Sequence, residues 1–355
     1  MASPYLYYME SKYEYKWGIL FDIVLARNPR WVKVDRVPPD SYVHLSDKNT
    51  VSLFQNYLDG DKYITLKHNL AELLHDTDIT PETIVIKNAK LTISHNKAQG
   101  DKGGIWFMKP SDRFVGEGKD IILYNTFKDI DLGDPRIKKY KYWVLQREVH
   151  PPMLIEAKKF VIRFFSLYVY RPRKIYLLIH NKCRVNLYAK TYSEGTDPTA
   201  QISHNTLNLT MGTSSKVGME SGLYNVDGTL FGYESIMQNA WPQIRSIVST
   251  VSDKLIDKLD TSMCVGYSVY GYDFTLRDDG KVYLIEVNER PYLNFLPDTL
   301  RDAITLPLIA ELVKCIECML DRETYTPVFF EAMRTYTVNP ISITCPTRSK
   351  KLMAL

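Results

Sequence analysis

Residues 270–288 read YGYDFTLRDDGKVYLIEVN: two strand-like runs flank an Asp279-Gly280 step, and how they pair decides the reading of the rest of the chain. Asp-Gly is favoured in a two-residue type I′ turn. With that loop Asp278 faces Lys281, and Asp273 falls opposite Glu286. Glu286 and Asn288 are two residues apart and share a face of their strand, so Asp273, Glu286 and Asn288 are expected to point the same way. Opposed carboxylates, with Cβ atoms roughly 5 Å apart, repel and destabilise a sheet. A bound hard cation removes that cost, and three oxygen ligands that leave positions for water and phosphate suit Mg²⁺. The same pattern also fits a hairpin whose polar face is simply solvated.

Working outward, the chain of 355 residues has no Pro/Gly/Ser-rich linker, which predicts subdomains sharing a cleft rather than independent beads. The expected division is an N-terminal α/β subdomain (1–75), a central subdomain (76–150), a C-terminal subdomain (151–340) and a tail (341–355). Hydrophobic residues at 45% and charged residues at 24% are ordinary globular values, with 25 tyrosines the one excess. A net charge of +4 is too small to argue for nucleic acid, although basic residues cluster between Lys138 and Arg184.

Five cysteines at irregular spacing make no disulfide framework. No apolar run approaches the roughly 20 residues of a membrane span, and the start MASPYLYYMESKYEYKW has no apolar signal core. A cytoplasmic monomer is the expectation. Cys315 and Cys318 lie in LPLIAELVKCIECML, whose period is helical, so buried helix cysteines are expected rather than zinc ligands.

The pattern further predicts an amphipathic helix in WGILFDIVLA, a helix in LKHNLAELLHDT, and strands leading from Pro81-Glu82, at IWFMKP and over 142–149. FVIRFFSLYVY and KIYLLIHN read as strands, 210–221 as a polar loop, and ESIMQNAWPQIRSIVSTVSDKLIDKL as a helix containing Pro242. The LPLIAELVKCIECML helix is expected to close the fold.

Lys109 ends a strand and is followed by a loop with Gly116 and Gly118, a cation and exposed amides suited to phosphate. That loop is neither a Walker motif nor a dinucleotide fingerprint, and a plain turn explains it too. Gln146, Arg147, Glu148 and Val149 read as an extended edge able to meet a flat heterocycle, or as a capped edge strand. Lys159, Arg163 and Arg184 are basic residues in apolar strands, suited to an anion or to ion pairs with Asp or Glu.

In order the chain carries NYLDGDKYITLKHNLAELL with PET, MKPSDRFVGEG, VLQREVHPPMLIEAKKFVIRF, HNTLN and YGYDF…YLIEVNERP. This series resembles tubulin tyrosine ligase and its tubulin-tyrosine-ligase-like relatives from about Trp17 to Ile316. The resemblance implies an α+β, ATP-grasp fold and an ATP- and Mg²⁺-dependent ligase. Such an enzyme joins a free amino acid (tyrosine, glutamate or glycine) to a carboxylate of tubulin, or of another protein with an acidic C-terminal tail, at the microtubule. It also implies that Lys67 and Lys109 hold ATP phosphates under the Gly116/Gly118 loop, with Ser111 beside them. Glu148 and Val149 would bind adenine through their backbone, with Gln146 and Arg147 lining that hinge. Lys159, Arg163 and Arg184 would reach phosphate and acceptor carboxylate, Asn208 would line the cleft, and Asp273, Glu286 and Asn288 would carry Mg²⁺, with Arg163, Arg184 and Glu286 catalytic.

The length and N-terminal unit resemble the compact tyrosine ligase more than the longer glutamylases and glycylases. Departures fall at Val161, where the family's KFDIR has an acid, and at Leu207, Arg113, Val115 and Glu289-Arg290. An inactive nucleotide- or tubulin-binding protein is the alternative outside the enzyme class.

Overall fold

A computed structural model describes residues 4–8, 18–35, 42–44, 58, 60–95, 104–111, 118, 120–171, 174–202, 214–259, 265–289, 291–293, 298–321, 325–328 and 330–337. The FVIRFFSLYVY run has apolar residues at odd and even positions, the signature of a strand covered on both faces. It forms β9, Phe160–Arg171, at the centre of a nine-stranded sheet.

The strands are, in chain order, β1 Tyr5–Tyr8, β2 Trp31–Lys33, β3 Tyr42–His44, β4 Thr83–Lys87, β5 Lys90–His95, β6 Trp106–Pro110, β7 Ile122–Tyr124, β8 Tyr142–Arg147 and β9. There follow β10 Lys174–His180, β11 Lys182–Leu187, β12 Ser215–Met219, β13 Gly222–Tyr224, β14 Leu230–Gly232, β15 Gly266–Leu276, β16 Val282–Glu289 and β17 Phe330–Thr337. They make three sheets: β2-β1-β3, parallel; β5-β4-β8-β6-β7, antiparallel; and the large sheet, ordered β14-β13-β12-β11-β9-β10-β17, with β15 joined to β9 and to β16.

Side-chain alternation assigns each residue of β9 to a face. Even positions Phe164, Tyr168 and Tyr170 pack with Ile236, Trp241, Ile244 and Val248 of the Glu234–Leu255 helix, whose apolar residues recur at three and four. Odd positions Phe165, Leu167 and Val169 pack with Leu308, Leu312 and Ile316 of the Leu306–Asp321 helix, which carries Cys315 and Cys318 buried as free thiols. Further along that second face, the residues at 161 and 163 meet an open cavity instead. The Ile19–Leu25 helix joins the same apolar layer, and the small sheet is tied to the Leu306–Asp321 helix by Glu317, which accepts from Asn28 Nδ2 and Trp31 Nε1, both at 2.8 Å.

Four expectations are corrected. Tyr142–Arg147 is no edge strand; β4 and β6 flank it on both sides. Residues 215–219, expected in a loop, form β12, whose polar sequence is held by pairing with β11. The Leu306–Asp321 helix does not close the fold, because β17 follows it and pairs antiparallel with β10.

The hairpin also differs. Arg277, not Asp278, faces Lys281, its N–H donating to the Lys281 carbonyl at 2.9 Å. The loop therefore has three residues, Asp278, Asp279 and Gly280, with Gly280 at φ +84°, where a Cβ is strained. That shifts the register by one through Leu276↔Val282 and Phe274↔Leu284, until a bulge at Ile285 restores Asp273↔Glu286. Val282 and Leu284 point into the apolar core, and beyond the bulge Val287 does so. The bulge thus turns Glu286 and Asn288 away from the core, toward the cavity.

Candidate functional site

Four strands contribute one residue each to a row, three of them on the floor of this cavity and the fourth just beyond it. Arg184 on β11 pairs with Arg163 on β9, Arg163 with Asp273 on β15, and Asp273 with Glu286 on β16. Two cations and two carboxylates therefore stand in line, placed by register alone. Arg163 grips Asp273 with a two-pronged ion pair, Nε to Oδ1 at 2.6 Å and Nη2 to Oδ2 at 2.5 Å. Asn288 Nδ2 donates to Asp273 Oδ2 and to Glu286 Oε1, each at 3.2 Å. From the roof Lys67, first residue of the Lys67–Leu73 helix, reaches Glu286 Oε2 at 2.9 Å.

These contacts set the charge states. Burial alone would raise the Glu286 pKa, but Lys67, Lys109 and Arg163 outweigh it and hold the carboxyl well below its ordinary range. Burial would likewise lower the Arg163 pKa, and Asp273 more than reverses it, so the guanidinium stays charged. Arg184 is pushed down to about 10 by burial and by the neighbouring Arg163. Its Nε and Nη2 donate to Ser215 Oγ at 3.2 and 3.1 Å.

The other wall comes from the five-stranded sheet. Lys109 on β6 donates to Gln146 Oε1 on β8 at 2.7 Å, and burial pushes its pKa down to about 8. Lys159 is buried against Glu148 Oε1 at 2.7 Å and Gln201 Oε1 at 2.8 Å, its pKa lowered by burial and partly restored by Glu148. Around this end the lining is more apolar, with Phe107, Ile121, Val149, Tyr188 and Ile202. The enclosed volume is about 570 Å³, within the range of small-molecule sites.

Of the residues singled out from sequence, Lys67, Lys109, Gly118, Gln146, Arg147, Glu148, Val149 and Lys159 line this one cavity together with Arg163, Asp273, Glu286 and Asn288. Arg184 stands one strand beyond Arg163 and Ser111 lies behind the wall, its Oγ accepting from the His68 N–H at 2.9 Å. The Glu148 N–H already donates to the Ile105 carbonyl at 2.8 Å, and the Arg147 N–H to that of Glu82, so neither amide is open to a heterocycle in this state. Gly116, Asn208, Arg113, Val115, Leu207 and Arg290 lie outside the described residues. Sequence reasoning missed Gln201, Tyr188 and Asn186 in the wall; only Asn186 had a local signal, as the residue two beyond Arg184 in a strand.

Among the described residues no three His, Cys, Asp or Glu side chains gather as a metal cluster. Two carboxylates and one amide do converge, and the Asn288 nitrogen lies 3.2 Å from an oxygen of each carboxylate. A donor set of hard oxygens that opens onto a cavity lined by cations fits a Mg²⁺-type ion shared with phosphate.

An α+β chain with an antiparallel sheet facing a larger curled sheet, and a row of arginines and carboxylates between them, is of the ATP-grasp-like class. The profile of the Tubulin-tyrosine ligase family matches residues 43–325, and the chain belongs to that family. Tubulin monoglycylase TTLL3 of Homo sapiens is 26% identical over 291 residues, 76% of this chain and 36% of that protein. Tubulin glycylase 3C of Tetrahymena thermophila is 23% identical over 252 residues, 65% of this chain and 21% of that protein. Protein monoglycylase TTLL8 of Mus musculus is 23% identical over 234 residues, 62% of this chain and 27% of that protein. The chain thus spans about a third or less of these relatives. Among the described residues no helix is long and apolar enough to cross a membrane.

Proposed function

We propose that this chain is an ATP-dependent ligase that joins an amino acid to a carboxylate of an acidic protein tail, with tubulin the first acceptor to test. The observation that carries the reading is the row Arg163-Asp273-Glu286, continued one strand further by Arg184, facing Lys67 and Lys109 across one cavity. Asp273, Glu286 and Asn288 would hold Mg²⁺, which when bound offsets phosphate charge. The apolar end near Phe107 and Ile202 suits adenine, and Lys67 and Lys109 suit the phosphates.

A carboxylate is a poor acyl donor. Its attack on the γ-phosphoryl group releases ADP and gives an acylphosphate; the amine then displaces phosphate, losing a proton as the amide forms. Both steps gather negative charge beside Lys109 and Arg163, so the side chains act by position and electrostatics, without a nucleophilic residue. The three relatives carry glycylase names, so glycine leads over the tyrosine that the length and the N-terminal unit suggested, with glutamate third.

Labelled glycine, tyrosine and glutamate, each supplied with ATP, Mg²⁺ and tubulin, separate the choices. Glu286→Gln is expected to lower incorporation more than 100-fold, about 2.7 kcal/mol or more of lost stabilisation, with the fold retained. Undiminished incorporation by this variant refutes the metal assignment. ATP binding with no ADP release for any acceptor refutes the ligase reading and leaves a binding protein.

A further inference from the structure

We infer that Asn186 reads the sugar of the bound nucleotide, donating its amide N–H to a ribose hydroxyl; the inference rests on the ATP reading above. Asn186 on β11 is the cross-strand partner of Val161 on β9, and both line the cavity. Thr275, two residues along β15 from Asp273, lines it too. Asn186, Val161 and Thr275 therefore make a second row beside Arg184, Arg163 and Asp273, about 7 Å along the strands. This row lies between the charged row and the apolar end. A nucleotide with its base in the apolar end and its phosphates on the charged row sets its sugar over it.

The hydrogen bonds fix which way the amide faces. Arg184 has only donors, and its Nε and Nη2 both donate to Ser215 Oγ, which uses the hydroxyl's two lone pairs. The one hydroxyl hydrogen must then go outward, and it goes to Asn186 Oδ1 at 3.1 Å. With the amide oxygen committed to Ser215, Nδ2 and its two hydrogens are turned to the other side. Asn186 is only 8% exposed, and the cavity is the space it borders. Val161 gives the row no polar atom at its centre, where the resemblance led to an acid. A neutral donor from the neighbouring strand replaces an acceptor, and Thr275 adds a hydroxyl at the far end.

Equilibrium binding of ATP, 2′-deoxy-ATP and 3′-deoxy-ATP, each with Mg²⁺, tests this without any turnover. The wild-type chain is expected to bind ATP on the order of tenfold more tightly than the analogue lacking the hydroxyl that is read, as one hydrogen bond supports. Asn186→Ala should erase that preference and weaken ATP to the level of the analogue. Asn186→Leu, nearly the same size, should do the same and covers the case of an alanine variant that does not fold. Ser215→Ala removes the support of Arg184 but keeps the amide, and should retain a preference. Equal binding of all three nucleotides by the wild type overturns the inference, as does a preference that survives in both Asn186 variants. Either result leaves the ATP reading standing; no binding of any nucleotide by the wild type sinks both.

Discussion

Raising the pH from 7 to 9.5 should cost this protein most of its affinity for ATP, through Lys109. Burial, Lys67 and Lys159 depress this ammonium, Glu286 and Asp273 only partly compensate, and its pKa falls from 10.5 to about 8. A fall from 10.5 to about 8 corresponds to about 3 kcal/mol disfavouring the charged form. A phosphate beside Lys109 stabilises that form, so binding above pH 8 must take up a proton. The expected Kd is nearly flat below pH 7.5 and rises about tenfold per pH unit above 8. Calorimetry in buffers of different ionisation enthalpy should count close to one proton taken up at pH 9. Lys109→Arg keeps a permanent charge and should flatten the profile.

Stability in the absence of nucleotide moves oppositely. Between pH 8 and 10.5 the unfolded chain binds this proton and the folded one does not, so the contribution of Lys109 to stability rises with pH across that window. A Kd unchanged from pH 7 to 9.5, or the same slope in Lys109→Arg, would refute the reasoning.

Two further outcomes concern the fold itself. Asp273→Ala leaves the buried Arg163 guanidinium without its two-pronged partner and should cost about 3–5 kcal/mol in denaturant unfolding; a loss under 1 kcal/mol would mean that solvent or Glu286 replaces the pair. Gly280→Ala, at φ +84°, should lower stability by about 1–2 kcal/mol from backbone strain alone, read as a lowered midpoint of thermal unfolding with nucleotide affinity kept.

Much of the fold was legible because the pattern was strong. The Glu234–Leu255 and Leu306–Asp321 helices follow from apolar residues at three and four, and β9 from a run with apolar residues at both odd and even positions. What stayed hidden depended on partners distant in sequence. Ser215–Met219 does not announce a strand by itself, and pairing with β11 and β13 makes it one. The flanking of β8 on both sides depends on β4 and β6, which no local signal at Gln146 reveals. The row across the floor was half legible: Asp273 and Glu286 lie on one hairpin, whereas Arg163 and Arg184 reach it through pairings of β9 with two strands that the sequence does not specify.

The facing of Asp273 and Glu286 was anticipated from a loop that the molecule does not have. Asp278 was expected opposite Lys281, and with that uninterrupted ladder Glu286 would share the face of Val282 and Leu284, inside the core. The longer loop displaces the pairing by one position, and the extra residue at Ile285 puts it back while reversing the strand's phase.

The bulge therefore re-aims the strand without setting its pairing. Leaving out Ile285 would bring Leu284 and Glu286 into succession, so Glu286 would still oppose Asp273 and Val287 would still face the core; what would be lost is the local bend that the extra residue adds. Losing Val287 instead would set Glu286 and Asn288 on opposite faces and break up the trio. The two-residue step from Glu286 to Asn288, rather than the distance between the two acids, is thus the spacing that a relative with the same chemistry has to keep.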